Sequence, residues 1–313
     1  MEILGLNMSI LVYPLLTNFI RKLRGGSQPI LARCSDGVLY VVKFANNLQG
    51  HNLLFNEAAG SFLYRACGLS VPEWKVIRVA DSFLDSNPGC WFETESGRLR
   101  PEEGLCFGSR YQGEENTRLL EILPGSSLRR IENRACFWLA WLLDICAGHT
   151  DNRQAIFQEK GNGELRACFI DHGHMFGGPR GEQQAHELAA RYLDPRVYEQ
   201  VSMRYLESIP RRMKSLDAEK LSKKVQCLPG HWKSTSASEK FSTCIDRLSN
   251  DGLLGNMIHG MERCSNQAHG QNSAFDHHQC NSPMGGILRF GVQSTDGEHF
   301  AARRSVAAVG ALR

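Results

Sequence analysis

Two aspartates, Asp151 and Asp171, stand at the ends of neighbouring strand-like segments where a carboxylate is free to do chemistry. The first lies in the polar loop His149-Thr150-Asp151-Asn152-Arg153-Gln154, which runs into the apolar stretch Ala155-Ile156-Phe157. The second closes Cys168-Phe169-Ile170-Asp171 and is followed by His172 and Gly173. Phosphoryl transfer needs such a pair, because one carboxylate must orient an attacking hydroxyl while another holds the Mg²⁺ that neutralises the phosphates. Aspartate also favours turns for its own reasons, so a hairpin capped at both ends reads the same.

The elements that would position this chemistry lie upstream. Gly37-Val38-Leu39-Tyr40-Val41-Val42-Lys43-Phe44 is rich in β-branched and aromatic residues and reads as a strand carrying one lysine. A lysine on an edge strand blocks aggregation and needs no other role. The next segment, Leu53 to Leu63, has apolar residues near helical period with Glu57 inside it, and a strand lysine facing a helix glutamate is the ion pair that steadies ATP phosphates in kinases. Before the strand, Gly25-Gly26-Ser27 forms a small-residue turn whose amides can approach a triphosphate. It fits neither a Walker loop nor G-x-G-x-x-G, and an ordinary turn would look alike.

In order, the parts are a glycine turn, a strand lysine, a helix glutamate, a helical region, a loop aspartate and a strand Asp-x-Gly. The phrases Gly-Gly-Ser-Gln-Pro, Tyr-Val-Val-Lys-Phe, Asn56-Glu57, Gly68-Leu-Ser-Val-Pro72, Phe107-Gly-Ser-Arg-Tyr111, Asp-Asn-Arg-Gln-Ala-Ile-Phe and Ile-Asp-His-Gly-His-Met-Phe resemble the HipA-like kinases over roughly residues 20 to 180. The resemblance implies an α+β, bilobal fold of the protein-kinase-like and phosphatidylinositol-kinase-like kind, with a strand-rich N-lobe and a mainly helical C-lobe. It implies that Lys43 contacts ATP phosphates, that Glu57 holds Lys43, and that Gly25, Gly26 and Ser27 form the phosphate-side loop. Asp151 becomes the catalytic-loop acid and Asp171 the ligand of Mg²⁺.

The chain departs from the pattern at two places. A second metal-binding Asn is expected about five residues after the catalytic Asp, and Ile156 stands there. Gln154, with the longer arm, is the preferred substitute and assists catalysis from the same loop; Asn152 is the other. The second departure is His149, where relatives tend to carry Asn.

Composition suits a folded chain: 313 residues, 42% hydrophobic and 22% charged, supply two lobes with cores of their own. A net charge of +3 without any dense Lys/Arg run argues against direct nucleic-acid binding. Eleven scattered cysteines fit reduced thiols and a cytoplasmic protein. The apolar run Ile10 to Leu16 is interrupted by Pro14 and has its basic residues on the wrong side for export, so it reads as an extension or first strand; no membrane partner is expected.

The expected organisation is an N-lobe with its extension over 1–112, a helical C-lobe over 113–262, and a disordered tail over 263–313. The aromatic helix from Asn133 to Ala147 reads as core, and His186–Leu206, Leu216–Val225 and Ser238–Leu248 as amphipathic helices. In the tail, Cys264, His269, His277, His278 and Cys280 match no zinc-finger spacing and read as a His-rich tract. The expected activity is transfer of the ATP γ-phosphoryl group to a hydroxyl, that of a protein Ser or Thr. A nucleotide-binding pseudokinase and a small-molecule kinase share the same ATP-binding half.

Overall fold

The computed structural model describes residues 13–115, 119–181, 190–199 and 201–275, with side chains as far as Arg263. The first elements are β1 (Leu16–Lys22), β2 (Ile30–Cys34) and β3 (Leu39–Lys43), then helix α1 (Leu53–Ala66) and β4 (Trp74–Val79). A short helix α2 (Asp81–Ser86), a small hairpin of β5 (Phe92–Thr94) and β6 (Gly97–Leu99), and β7 (Gly104–Arg110) complete the N-terminal region. Five strands form an antiparallel sheet in the order β1-β2-β3-β7-β4, with Ile30 opposite Val42 and Lys43 opposite Phe107. The sheet curls until Leu15 bridges Arg78, bringing its two edges together.

Alternation along the strands divides the sheet's faces. Ile30, Ala32, Tyr40, Val42, Ile77 and Cys106 turn to one side and are covered by Phe83, Leu84, Cys90 and Phe92. Val41 and Lys43 leave from the other side. Helix α1, buried at Leu53, Phe55, Ala58, Ala59, Leu63 and Tyr64, belongs to a different core, which it shares with the helical region.

The helical region holds α3 (Cys136–Ala147), a hairpin of β8 (Gln154–Glu159) and β9 (Leu165–Ile170), and helices α4 (Met203–Lys214), α5 (Ala218–Gln226), α6 (Thr235–Leu248) and α7 (Asp251–Phe275). Helix α3 is apolar almost throughout, with Phe137, Trp138, Trp141 and Leu142 in the core. It stops at Gly148, which takes a left-handed conformation (φ 62°), and His149 N–H returns to the Asp144 carbonyl at 2.9 Å. The β8–β9 turn is closed by Lys160 N–H to Glu164 O, so Asp151 and Asp171 lie at the open end of the hairpin and cap no turn of it.

Two expectations are corrected. No continuous helix spans 186–206: residues 182–189 lie outside the described residues, and beyond them Asp194 caps a single 3-10 turn, Pro195–Tyr198, before α4 begins at Met203. Pro195 and the burial of Tyr192, Val197 and Tyr198 against Phe137, Trp138 and Trp141 favour this compact turn. The boundary expected at 263 also falls inside a helix, because α7 runs to Phe275, anchored by buried Leu254, Ile258 and Met261 at helical spacing. Cys264 and His269 lie on its distal part, whereas His277, His278 and Cys280, like residues 1–12, are outside the described residues. Among the described residues no helix is long and apolar enough to cross a membrane.

Candidate active site

Lys43 ends the central strand of the sheet and is only 7% exposed, which removes the edge-strand explanation for it. Its ammonium donates to Glu57 Oε1 and, at 2.9 Å, to Asp171 Oδ1. Glu57 is held in turn by the amides of His172 and Gly173, each 3.1 Å away. Sheet, helix α1 and the segment after β9 therefore meet at one carboxylate.

Burial works against charge on all three side chains, yet the two carboxylates hold Lys43 above its ordinary range. Asp171, partly exposed and facing the ammonium, is held well below the usual carboxylate range. Glu57, more deeply buried and also facing Asp171, is pushed up.

The Asp-x-Gly segment is shaped around this contact. Asp171 sits at φ 58°, a left-handed conformation uncommon for non-glycine residues but open to aspartate. At Gly173 an added Cβ would stand 2.4 Å from Leu53 Cδ1 and 3.0 Å from Glu57 Oε1. The glycine is thus required by close approach to α1.

The loop between β1 and β2 carries Gly25 at φ 129°, accessible only to glycine, and is closed by Leu23 N–H to Pro29 O at 2.8 Å. Asn47 holds the Ser27 carbonyl at 2.8 Å. The amides of Gly26 and Ser27 meet no acceptor among the described residues. Gln49 lies under Gly26 and reaches His174 Nε2 at 3.2 Å, and His174 Nδ1 is 3.2 Å from Thr150 Oγ1. One chain of side-chain contacts thus runs from the glycine loop to the loop of Asp151.

Asp151 is half-buried and accepts the amide of Asn152 at 2.7 Å. His149 is buried beneath it, its Nδ1 3.2 Å from the Asp151 amide nitrogen. Burial, with the Arg153 charge adding to it, lowers His149 to about 4, so the ring is neutral at pH 7. Asn152 and Gln154 are exposed at the mouth of the hairpin, whereas Ile156 is 2% exposed and paired with Cys168 inside it. The strand starts at Gln154, so the position found by counting from Asp151 falls within the core.

Spacing gave no warning of Arg153 and Asp144. Arg153 grips the Asp144 carboxylate with two bonds, 2.8 and 2.7 Å, and both are fully buried. The signal was present: one aspartate in the apolar helix Cys-Phe-Trp-Leu-Ala-Trp-Leu-Leu-Asp-Ile-Cys-Ala demands a cation nearby. Gly60 was also missed, and helix periodicity gives no hint of it.

A cavity of about 460 Å³ opens where Gln112 and Gly113 face Leu120, Phe157 and Lys160, and its lining includes none of Lys43, Glu57, Asp151 or Asp171. Among the described residues, no group of three or more His, Cys, Asp or Glu side chains is placed to cage a metal ion. The part-exposed carboxylate of Asp171 and the exposed amide side chains of Asn152 and Gln154 are oxygen donors of the kind a hard cation takes when phosphate oxygens and water complete its shell.

An antiparallel sheet over a helical region, with a buried lysine clasped by a helix glutamate and by the aspartate of an Asp-x-Gly turn, defines a kinase. Residues 16–143, from β1 through most of α3, match the family described as HipA-like kinase, and the resemblance read from the sequence is borne out there. Among solved structures, the chain is similar to the Helicobacter pylori proinflammatory kinase CtkA, with 14% identity, a TM-score of 0.47, and coverage of 76% of this chain and 94% of that one. It is also similar to the Golgi casein kinase, with 12% identity, a TM-score of 0.48, and coverage of 80% and 72% respectively. A structure of the Golgi casein kinase with Mn/ADP bound gives 11% identity, a TM-score of 0.40, and coverage of 79% and 72%. These likenesses are distant. No curated protein sequence matches it significantly.

Proposed function

We propose that this phosphotransferase moves the γ-phosphoryl group of Mg-ATP to a hydroxyl, with a protein Ser or Thr as the acceptor, in the cytosol. The observation that carries the reading is Lys43 held between Glu57 and Asp171 on a central strand. A buried ammonium so fixed is a preorganised partner for phosphate oxygens.

Lys43 binds the α and β phosphates, Glu57 keeps it oriented, and the free amides of Gly26 and Ser27 take further phosphate oxygens. Asp171 would hold Mg²⁺, with Gln154 or Asn152 as a further oxygen donor, and the ion would supply charge neutralisation of the phosphates. Asp151 accepts or orients the proton of the incoming hydroxyl. Accepting phosphates requires Lys43 to loosen its contact with Asp171, which frees that carboxylate for the cation.

The core placement of Ile156 favours a second reading, a pseudokinase that binds nucleotide and regulates a partner without turnover. Incubation with γ-labelled ATP and Mg²⁺, followed by mass spectrometry of the chain and of added proteins, separates the two. Label on Ser or Thr that disappears in Asp171→Ala is expected. An unchanged rate in Asp171→Ala would remove its assigned role. Nucleotide binding without any label would favour the pseudokinase, and label found only on small molecules would move the acceptor class.

A further inference from the structure

The buried guanidinium of Arg153 does more than neutralise Asp144. Its Nη1 donates to the carbonyls of Ile170 at 2.8 Å and Asp171 at 3.2 Å, and lies 3.3 Å from His172 Nδ1. These are the last residue of β9 and the turn that carries Asp171 in its left-handed conformation. The other side of the guanidinium is fixed from two directions. Asp144 on α3 takes its Nε and Nη2, and the ring of Tyr64 on α1 lies under it at 4.9 Å. The Tyr64 hydroxyl then donates to Asp144 Oδ1 at 2.7 Å, closing the circuit.

We infer that Arg153 is a positioning residue for the metal site: anchored by Asp144 and Tyr64, it holds the Asp171 backbone in the turn from which the carboxylate meets the cation. Arg153 is 1% exposed and out of a substrate's reach, so its effect passes through Asp171. Helix α1 then governs Asp171 twice, once through Glu57 and once, two turns further on, through Tyr64. The inference rests on the reading of Asp171 as the metal ligand.

The test is Mn²⁺ binding, followed by electron paramagnetic resonance in the presence of a non-hydrolysable ATP analogue, for the wild type, Arg153→Lys, Tyr64→Phe and Asp171→Ala. Binding of the analogue without metal is measured in parallel, and thermal denaturation verifies that each variant is folded. Arg153→Lys keeps the charge but loses the two-pronged grip; it is expected to weaken Mn²⁺ about tenfold, the scale of losing an outer-shell support, with metal-free analogue binding unchanged. Tyr64→Phe, which deletes one hydroxyl, is expected to weaken Mn²⁺ by a smaller factor in the same direction. Folded variants that bind Mn²⁺ as the wild type does would overturn the inference and leave Arg153 a structural residue. A wild type that binds the analogue but shows no Mn²⁺ difference from Asp171→Ala would instead overturn the assignment of Asp171, and the inference with it.

Discussion

Gly60 runs so close to His172 that a Cβ added to the glycine would stand 2.6 Å from the histidine's own Cβ. The same Cβ would meet Met175 Sδ at 2.6 Å, and no rotamer of His172 can relieve the first clash. Helix α1 is thereby seated against the Asp171 turn by the absence of a side chain. Gly60→Ala would gain helix propensity on an isolated helix, but here it must lift α1 or push the turn. Overpacking of this kind costs about 1–3 kcal/mol. Chemical denaturation is expected to show that loss, with weaker ATP binding alongside; a stabilised variant would show that the contact is loose.

Lys43 and Glu57 are expected to respond unequally. Lys43→Met leaves Glu57 and Asp171 without their shared cation, and breaking a buried pair from one side costs roughly 3–5 kcal/mol. Glu57→Gln keeps an oxygen for only one of the amides of His172 and Gly173, which the two carboxylate oxygens accept separately, but leaves Lys43 paired with Asp171. ATP affinity measured by calorimetry should fall to background in the first and only several-fold in the second. Equal losses would mean that the retained amide contact contributes nothing to the turn.

For Asp144 and Arg153 a double-mutant cycle is decisive. Either residue truncated alone strands a buried charge, at a cost of roughly 3–5 kcal/mol, whereas apolar replacement of both removes the desolvation penalty together with the attraction. Asp144→Leu with Arg153→Met is therefore expected to unfold at a higher denaturant concentration than either single variant. Additive losses would show that the two side chains do not stabilise as a pair.

Acid is expected to weaken the fold through His149. Its folded value of about 4 lies below the ordinary 6.5, so between those limits the unfolded chain binds the extra proton. The contribution is complete above pH 6.5 and is lost as pH falls from 6.5 towards 4. Its full size is on the order of 3 kcal/mol. His172, buried beside Arg153, is lowered in the same direction. Denaturation midpoints at pH 7 and pH 5 should differ more in the wild type than in His149→Gln; an equal pH dependence would locate the acid sensitivity elsewhere.

The association of Lys43 with Glu57 was legible because a charged residue in an apolar strand and another in an apolar helix each need a partner. Whether that strand is central or at an edge was not legible, since strand order depends on which distant segments pair, and β7 reaches β3 from more than sixty residues away. The departure at Ile156 has a local reason. Counting residues assumes a loop of fixed length, but only Asn152 and Arg153 separate Asp151 from β8, so Ile156 belongs to the strand. Helix α3 was read from its apolar run, and its one aspartate went unused because the partner lies beyond Gly148, in a loop read only for its carboxylate. The stretch around Tyr192 to Tyr198 was read as part of a helix, whereas its buried aromatics follow the contours of α3.

Helix α1 precedes most of the sheet-to-helix crossing in the chain, yet its apolar side chains belong to the helical region's core. Local opening follows shared cores rather than chain order. Amide hydrogens of α1 are therefore expected to exchange with solvent in step with α3 and α6, and more slowly than those of the edge strands β1 and β4. A sheet that loosens and re-forms over such a helix can admit and release a ligand while Glu57 stays where it is.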